Sequence, residues 1–283
     1  MTTVPGIRIQ HFSDTACDSM PHKEDPHSAL PPILKELSDK LYLGQQDGVE
    51  IKEWFTGQNH EFWMAKAGQE PLGYVAMPIH EAIIPWIYRA VGVTTNSVAL
   101  GSRKLGVPLA QGRGNLLLSL HKYRRGVKRQ VVDASWRPDA KFFEDYAVMS
   151  CVDHALGQVD RHNGNYMVLD DGTLFAVDNG RCLSNGFINV PVQETVFDTL
   201  KLSGGLEGHP WTTETDFVRQ RIENLTDNYI DQVFDSIPRL WFRLHDIEVS
   251  RDPSPMFQSS SLDTKAIQIK ANLQILRSWL ARQ

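Results

Sequence analysis

Apolar residues recur along this chain with two different periods, and the changes of period mark its elements. After Pro31-Pro32, the positions Ile33, Leu34, Leu37, Leu41 and Leu43 return at helical spacing. From Val49 to Phe55 apolar and polar residues alternate roughly every second position. Thr56-Gly57-Gln58-Asn59 then reads as a turn, and Glu61 to Lys66 reads as a second strand ended by Gly68. The two runs predict a hairpin with a glycine-containing tip. Residues 79–91 return to the helical period, with Ile83, Ile84, Ile87, Tyr88 and Val91 on one face and Gly92 as the stop. Pro85 is expected in the first turn of that helix, where a missing N–H goes unnoticed. Two short strand-like runs follow, 97–100 and 107–109, and then the glycine-rich Gln111-Gly112-Arg113-Gly114.

The second half is patterned mainly as helices. Phe142, Phe143, Tyr146, Ala147, Met149, Val152 and Leu156 predict an amphipathic helix over 141–156. Further helices are expected near 192–203, 213–226, 227–236 and 263–282, with a Pro/Ser-rich loop over 251–262. Residues 1–30 are rich in Pro, His, Asp and Ser with little periodicity, and read as a flexible N-terminal arm. Core packing is the expected role of Ile267, Leu273, Leu276, Trp279 and Leu280 in the last helix.

Composition narrows the field without choosing within it. A chain of 283 residues with 41% hydrophobic and 22% charged residues has the makeup of a globular protein that can bury a core. A net charge of −5 argues against a general nucleic-acid binder. The basic run Lys122 to Arg129 reads either as a solvated element end or as a docking surface for an anion. The three cysteines, Cys17, Cys151 and Cys182, form no CxxC and suggest neither a disulfide framework nor a thiolate zinc site. They fit a reducing, cytoplasmic setting. No apolar run approaches the length of a membrane span and no secretory signal is expected.

The chemistry concentrates in one segment. The predicted helix ends at Gly157 and is followed by Asp160-Arg161-His162-Asn163-Gly164-Asn165. A strand over 166–169, the turn Asp170-Asp171-Gly172, a returning strand over 173–177 and Asp178-Asn179-Gly180 come next. A two-residue Asp171-Gly172 loop would set Asp170 opposite Thr173 and therefore Asn165 opposite Asp178. Directly opposed side chains lie about 5 Å apart. A carboxylate and an amide oxygen that close can share one hard cation, with Mg²⁺ taking its remaining ligands from water and phosphate. Asp160, on the loop leading to the same place, is positioned in sequence to accept a proton from an attacking hydroxyl. A lone Asp-Asn-Gly is only a turn; helix, polar loop, hairpin and second acidic turn together point to a metal–phosphate centre. The segment lacks the central Gly and terminal Glu of a calcium loop.

These loops resemble the catalytic and metal-binding loops of atypical kinases of the phosphatidylinositol 3-/4-kinase-like and HipA-like group, where Asp-Asn-Gly stands in for Asp-Phe-Gly. The resemblance is specific over 142–183. It implies Asp160 as catalytic aspartate, His162 as a catalytic or phosphate-contacting residue, and Asn165 and Asp178 as magnesium ligands. It also asks for a strand lysine to hold the phosphates of ATP and a helix glutamate to orient it. Lys66 stands at the expected strand end, with Glu81 as the helix candidate and Glu70 as the lesser one. Gly57 and Gln58 lie in the turn that would cover the phosphates, and residues 109–115 would form the hinge. The expected fold is α+β, two-lobed and protein-kinase-like. Its parts are a flexible arm over 1–30, a small β-rich N-lobe over 31–112 and a larger helical C-lobe over 113–283. The expected function is Mg²⁺- and ATP-dependent transfer of the γ-phosphate to a hydroxyl of a protein, a metabolite or antibiotic, or a lipid, with no nucleic-acid partner and no integral membrane contact. AMP transfer by the same fold and a nucleotide-binding pseudokinase are the alternatives.

Overall fold

The computed structural model describes residues 7–11, 52–56, 62–67, 77–96, 98–104, 115–122, 127–128, 140–158, 161–162, 164–169, 171–183, 212–237, 239–250 and 261–282. The chain forms two compact units. One comprises residues 1–85, 96–124 and 235–258, and the other residues 86–95, 125–234 and 259–283. The class is α+β, as the periodicities predict.

The first unit is built on a five-stranded antiparallel sheet in the order β1-β5-β6-β3-β2. Its strands are β1 (Ile7–His11), β2 (Lys52–Thr56), β3 (Phe62–Ala67), β5 (Val98–Lys104) and β6 (Asn115–Lys122). The expected β2–β3 hairpin is present, with Thr56 opposite Phe62 and Lys52 opposite Lys66. Three features depart from the sequence expectations. β1 pairs with β5 from within the stretch read as an arm. The short run expected at 97–100 extends to Lys104, because all seven residues of β5 find partners along β6. β6 itself, Asn-Leu-Leu-Leu-Ser-Leu-His-Lys, was not foreseen. Its apolar residues are nearly continuous instead of alternating, as expected of a central strand covered on both faces. Leu120 on one side and Ser119 and His121 on the other are all buried.

Helix α1 (Met77–Ala90) starts two residues before the predicted boundary, and Pro85 lies in its interior, not in its first turn. The first-turn proline is Pro78, where proline is favoured. Pro85 removes one backbone bond and crowds the carbonyl four residues back, at a cost of about 3 kcal/mol. Ile79, Ile83, Ile84 and Ile87 are all fully buried. Each contributes roughly 1.5–3 kcal/mol, so burial outweighs the broken bond. Helix α5 (Arg239–Ser250) was not anticipated. Within the first unit its His245 Nε2 lies 3.1 Å from His80 Nε2 of α1, and its Trp241 is fully buried.

The second unit holds a four-stranded sheet in the order β4-β9-β8-β7. These strands are β4 (Thr94–Thr95), β7 (Val127–Lys128), β8 (Tyr166–Val168) and β9 (Leu174–Ala176). β4 runs parallel to β9, and the other pairings are antiparallel. Helices α2 (Ala140–Ala155), α3 (Thr212–Ile222), α4 (Asp227–Ser236) and α6 (Leu262–Leu280) match four of the predicted helices. α2 packs against α3, α6 and β9. Phe142, Tyr146 and Tyr166 form an aromatic cluster at its start, with ring centroids 5.3–6.2 Å apart. The predicted helices over 31–43 and 192–203, the run 107–109 and residues 109–114 of the hinge region fall outside the described residues, and Asn115 begins β6. Among the described residues no helix is long and apolar enough to cross a membrane; Cys151 and Cys182 are buried, and Ile267 of α6, expected in the core, is exposed instead.

Candidate active site

In the first unit the alternation of β3 decides where Lys66 goes. Met64 and Lys66 share a face, opposite His121 and Ser119 of β6 respectively. Lys66 is only 3% exposed, so it is not the solvated strand-end lysine that its position alone would suggest. Glu81 of α1, also buried, meets it there: Lys66 Nζ donates to Glu81 Oε1. The second carboxylate oxygen, Oε2, lies 2.5 Å from His121 Nε2, which in turn lies 3.0 Å from Ser119 Oγ. One carboxylate thus bridges a lysine and a histidine that sit diagonally on adjacent strands. Buried charges persist only when paired in this way. Of the two sequence candidates for the orienting glutamate, the structure joins Glu81 to Lys66; Glu70 lies outside the described residues.

In the second unit a single guanidinium organises the polar segment. Helix α2 ends at Gly157, whose φ of +62° places it in the left-handed region. Gly157 N–H donates to the His154 carbonyl at 3.2 Å and Gln158 N–H to the Asp153 carbonyl at 2.8 Å, a paired closure that glycine permits. The chain then returns Arg161 toward the helix it has just left. Arg161 Nε donates to Asp153 Oδ2 at 2.8 Å and Nη2 to Asp153 Oδ1 at 3.1 Å, a bidentate pair. Nη2 also donates to Tyr88 Oη (3.0 Å) and Asn179 Oδ1 (2.9 Å). Nη1 donates to the Val177 carbonyl at 2.7 Å and to the Asn165 carbonyl. The side chain is 3% exposed. Burial alone would lower the Arg161 pKa; the neighbouring Asp153 and Tyr88 more than offset it and raise it well above the ordinary value. Burial, and then the Asp153 carboxylate, push the Tyr88 phenol up, so that it stays protonated and donates to Asp153.

The same guanidinium therefore ties the backbone before β8, at Asn165, to the backbone after β9, at Val177. Val177 N–H closes the junction by donating to the Asn165 carbonyl at 3.2 Å. Here the register departs from expectation by one residue. Tyr166 faces Ala176 and Val168 faces Leu174, so Asn165 faces Val177 and not Asp178. The turn has three residues instead of two: Leu169 N–H donates to the Thr173 carbonyl at 2.9 Å and Gly172 N–H to the Leu169 carbonyl at 3.0 Å. Asp171 favours the longer form, because its Oδ1 accepts from Thr173 N–H at 2.9 Å, a bond that holds its carboxyl below the usual range. Gly172, at φ +81°, takes the left-handed position that such a loop requires.

Asp178 has left the strand. Its φ is +58°, unusual for a residue other than glycine and commonest in Asp and Asn. Gln158 Nε2 donates to its carbonyl at 3.1 Å, and Asn179 Nδ2 donates to Thr95 Oγ1 at 3.3 Å, which donates to the Ala176 carbonyl at 2.9 Å. The turn is thus fixed from three directions. Asn165 is buried, its N–H donating to the His162 carbonyl at 2.8 Å. His162 is exposed and accepts from Gly164 N–H at Nδ1 (3.0 Å). A neutral imidazole accepting at Nδ1 carries its proton on Nε2. An amide oxygen and a carboxylate on two segments joined at one junction are hard oxygen donors, a set that fits Mg²⁺ and not a thiolate-seeking metal. Among the described residues no group of three or more His, Cys, Asp or Glu side chains gathers as a separate metal site.

The sequence profile of the phosphatidylinositol 3- and 4-kinases matches residues 43–203, more than half of the chain. The chain belongs to the phosphatidylinositol 3- and 4-kinase family. Members of that family transfer phosphate from ATP to a hydroxyl group, with a divalent metal. Phosphatidylinositol 4-kinase PIK1alpha of Candida albicans (strain SC5314 / ATCC MYA-2876) is 34% identical over 92 residues, which cover 31% of this chain and 9% of that protein.

Of the site residues expected in this kinase-family chain, Asp160, Gly57 and Gln58 lie outside the described residues. The structure joins Lys66 to Glu81, and brings Asn165 to the residue preceding Asp178. Sequence reasoning missed Asp153, Arg161, Tyr88, Gln158 and Asn179 as the framework of the site. One signal was available: an Arg inside a catalytic-type loop, eight residues after an Asp on the apolar side of the preceding helix, needs a buried counter-charge.

Proposed function

We propose that this chain is a kinase that transfers the γ-phosphate of ATP to a hydroxyl group, with Asn165 and Asp178 as its magnesium ligands and Asp160 as the proton acceptor. The observation that carries the reading is the Arg161 junction, which joins the Asn165 segment to the Asp178 segment inside the region matched to the family. Bound magnesium would neutralise charge on the phosphoryl oxygens. Lys66, oriented by Glu81, would hold the ATP phosphates as a cation that its partner keeps in one place. His162, with its proton on Nε2, would donate to a phosphate oxygen. The acceptor oxygen would bond to the γ-phosphorus as the bond to the bridging oxygen breaks; its proton would pass to Asp160, and ADP would leave. Positioning and charge stabilisation carry catalysis of this kind.

Among the acceptors that the sequence left open, the family name and the fungal relative favour an inositol-ring hydroxyl over a protein side chain or small molecule. The test is incubation with ATP labelled at either the α or the γ phosphorus, together with phosphatidylinositol vesicles, mixed protein and small polyols. Transfer of γ label to the lipid is the expected result. Transfer of α label would show AMP transfer instead, and γ label on protein or polyol would replace the lipid acceptor.

A further inference from the structure

Helix α6 carries a lysine where a lysine is least expected. Lys265 is 1% exposed, in the midst of Leu262, Ala266, Ile269 and Leu273 on the buried face. Lysine is almost never buried without a partner, because its ammonium loses its hydration there. Burial pulls its pKa down to about 8. Its Nζ donates to the carbonyl of Leu183.

Leu183 is itself out of the ordinary. Its φ is +62°, and among the described residues it and Asp178 are the two non-glycine residues in the left-handed region. The two bracket the turn that begins with Asp178-Asn179-Gly180. Leucine has no side-chain oxygen to ease that conformation, so it persists only where its surroundings over-determine it. Three hydrogen bonds restrain it. Leu183 N–H donates to the Leu156 carbonyl at 2.6 Å, Cys182 N–H donates to the Asn179 carbonyl at 3.2 Å, and Lys265 takes the Leu183 carbonyl. Two helical turns along, on the same face of α6, Asn272 Nδ2 donates to the Ala155 carbonyl at 3.0 Å. α6 thus grips the end of α2, from which the catalytic-type loop departs, and the far end of the turn that carries Asp178.

We propose that Lys265 is a positioning residue for the metal-binding turn: its ammonium, by holding the Leu183 carbonyl, fixes the segment from Asp178 to Leu183 and so the geometry of the Asp178 carboxylate. The inference rests on the reading of Asp178 as a magnesium ligand.

The test compares wild type with Lys265→Met, with Lys265→Gln as a second variant that keeps a donor without the charge. Calorimetry measures ATP binding with and without Mg²⁺, and hydrogen exchange follows amides 178–183 in protein free of metal and nucleotide. Lys265→Met is expected to weaken Mg²⁺-ATP binding about tenfold, to leave metal-free ATP binding within twofold of wild type, and to speed exchange at Cys182 and Leu183; Lys265→Gln is expected to fall between. Unchanged Mg²⁺-ATP affinity in both variants would overturn the inference, as would an equal loss of metal-free binding, which marks general damage. Should Lys265→Met not fold, wild-type metal dependence and exchange rates in Lys265→Gln would overturn it in the same way. If wild type bound ATP equally with and without Mg²⁺, the metal-ligand reading would fall first and the inference with it.

Discussion

The residues that define this molecule are buried charges, and each is explained by the group that it faces. Lys66 is buried because Glu81 meets it, Arg161 because Asp153 does, and Lys265 because the Leu183 carbonyl is there. Lys66, Glu81, His162, Asn165 and Asp178 stand out in the sequence as candidates by residue type and spacing, and of these the structure joins Lys66 to Glu81. Lys265 does not stand out, because a Lys within an amphipathic helix reads as part of the solvated face; Asp153 and Tyr88 lie on apolar faces, and only the fold shows the guanidinium that they meet. Lys265 gives a pH dependence with a definite sign. Its folded pKa of about 8 lies below the ordinary value of 10.5. Below pH 8 both folded and unfolded chains hold the proton. Between about pH 8 and 10.5 the folded chain releases it first, the unfolded chain binds more protons, and stability rises. The difference in urea midpoint between wild type and Lys265→Met should therefore shift in favour of wild type over that window, and be flat from pH 6 to 7.5.

At the scale of elements, period and punctuation did most of the work. The β2–β3 hairpin, α2 with its stop at Gly157, and helices α3, α4 and α6 follow from apolar spacing and glycine placement. The failures have separate physical causes. Pro85 misled the start of α1, because the burial of four isoleucines outweighs a proline's lost bond. The side chain of Asp171 capped Thr173 and lengthened a turn by one residue, which moved Asn165 opposite Val177. β6 and α5 were missed because a doubly covered strand lacks alternation and α5 follows α4 almost without a break. The strongest element-scale link is between α2 and the loop after it, through Asp153 and Arg161. Asp153→Ala would leave a guanidinium buried without its counter-charge, and should cost about 3–5 kcal/mol. Equilibrium urea unfolding measures this; a loss under 1 kcal/mol would mean that the other acceptors around Arg161 suffice.

At the scale of the whole molecule, the family match and the two units bear on one chemical claim. A sheet with a buried Lys–Glu pair and a helical unit with an Arg-centred loop junction are each assembled by residues distant in sequence. A chain needing only a stable fold would gain little from either arrangement, since apolar replacements of buried ion pairs are often as stable. Both belong to a chain matched over residues 43–203 to kinases of inositol lipids. The most direct measurement is Mg²⁺-dependent release of γ-phosphate from ATP by wild type and by Asp178→Asn. The asparagine keeps the size of the side chain and tolerates the left-handed backbone at this position, and removes only the charge. Wild type should turn over ATP only with Mg²⁺, and Asp178→Asn should lose activity by roughly 100-fold or more while melting within a few degrees of wild type, a loss of the size expected when electrostatic stabilisation is removed. Turnover by Asp178→Asn at the wild-type rate would contradict the assignment of this turn as the metal–phosphate centre.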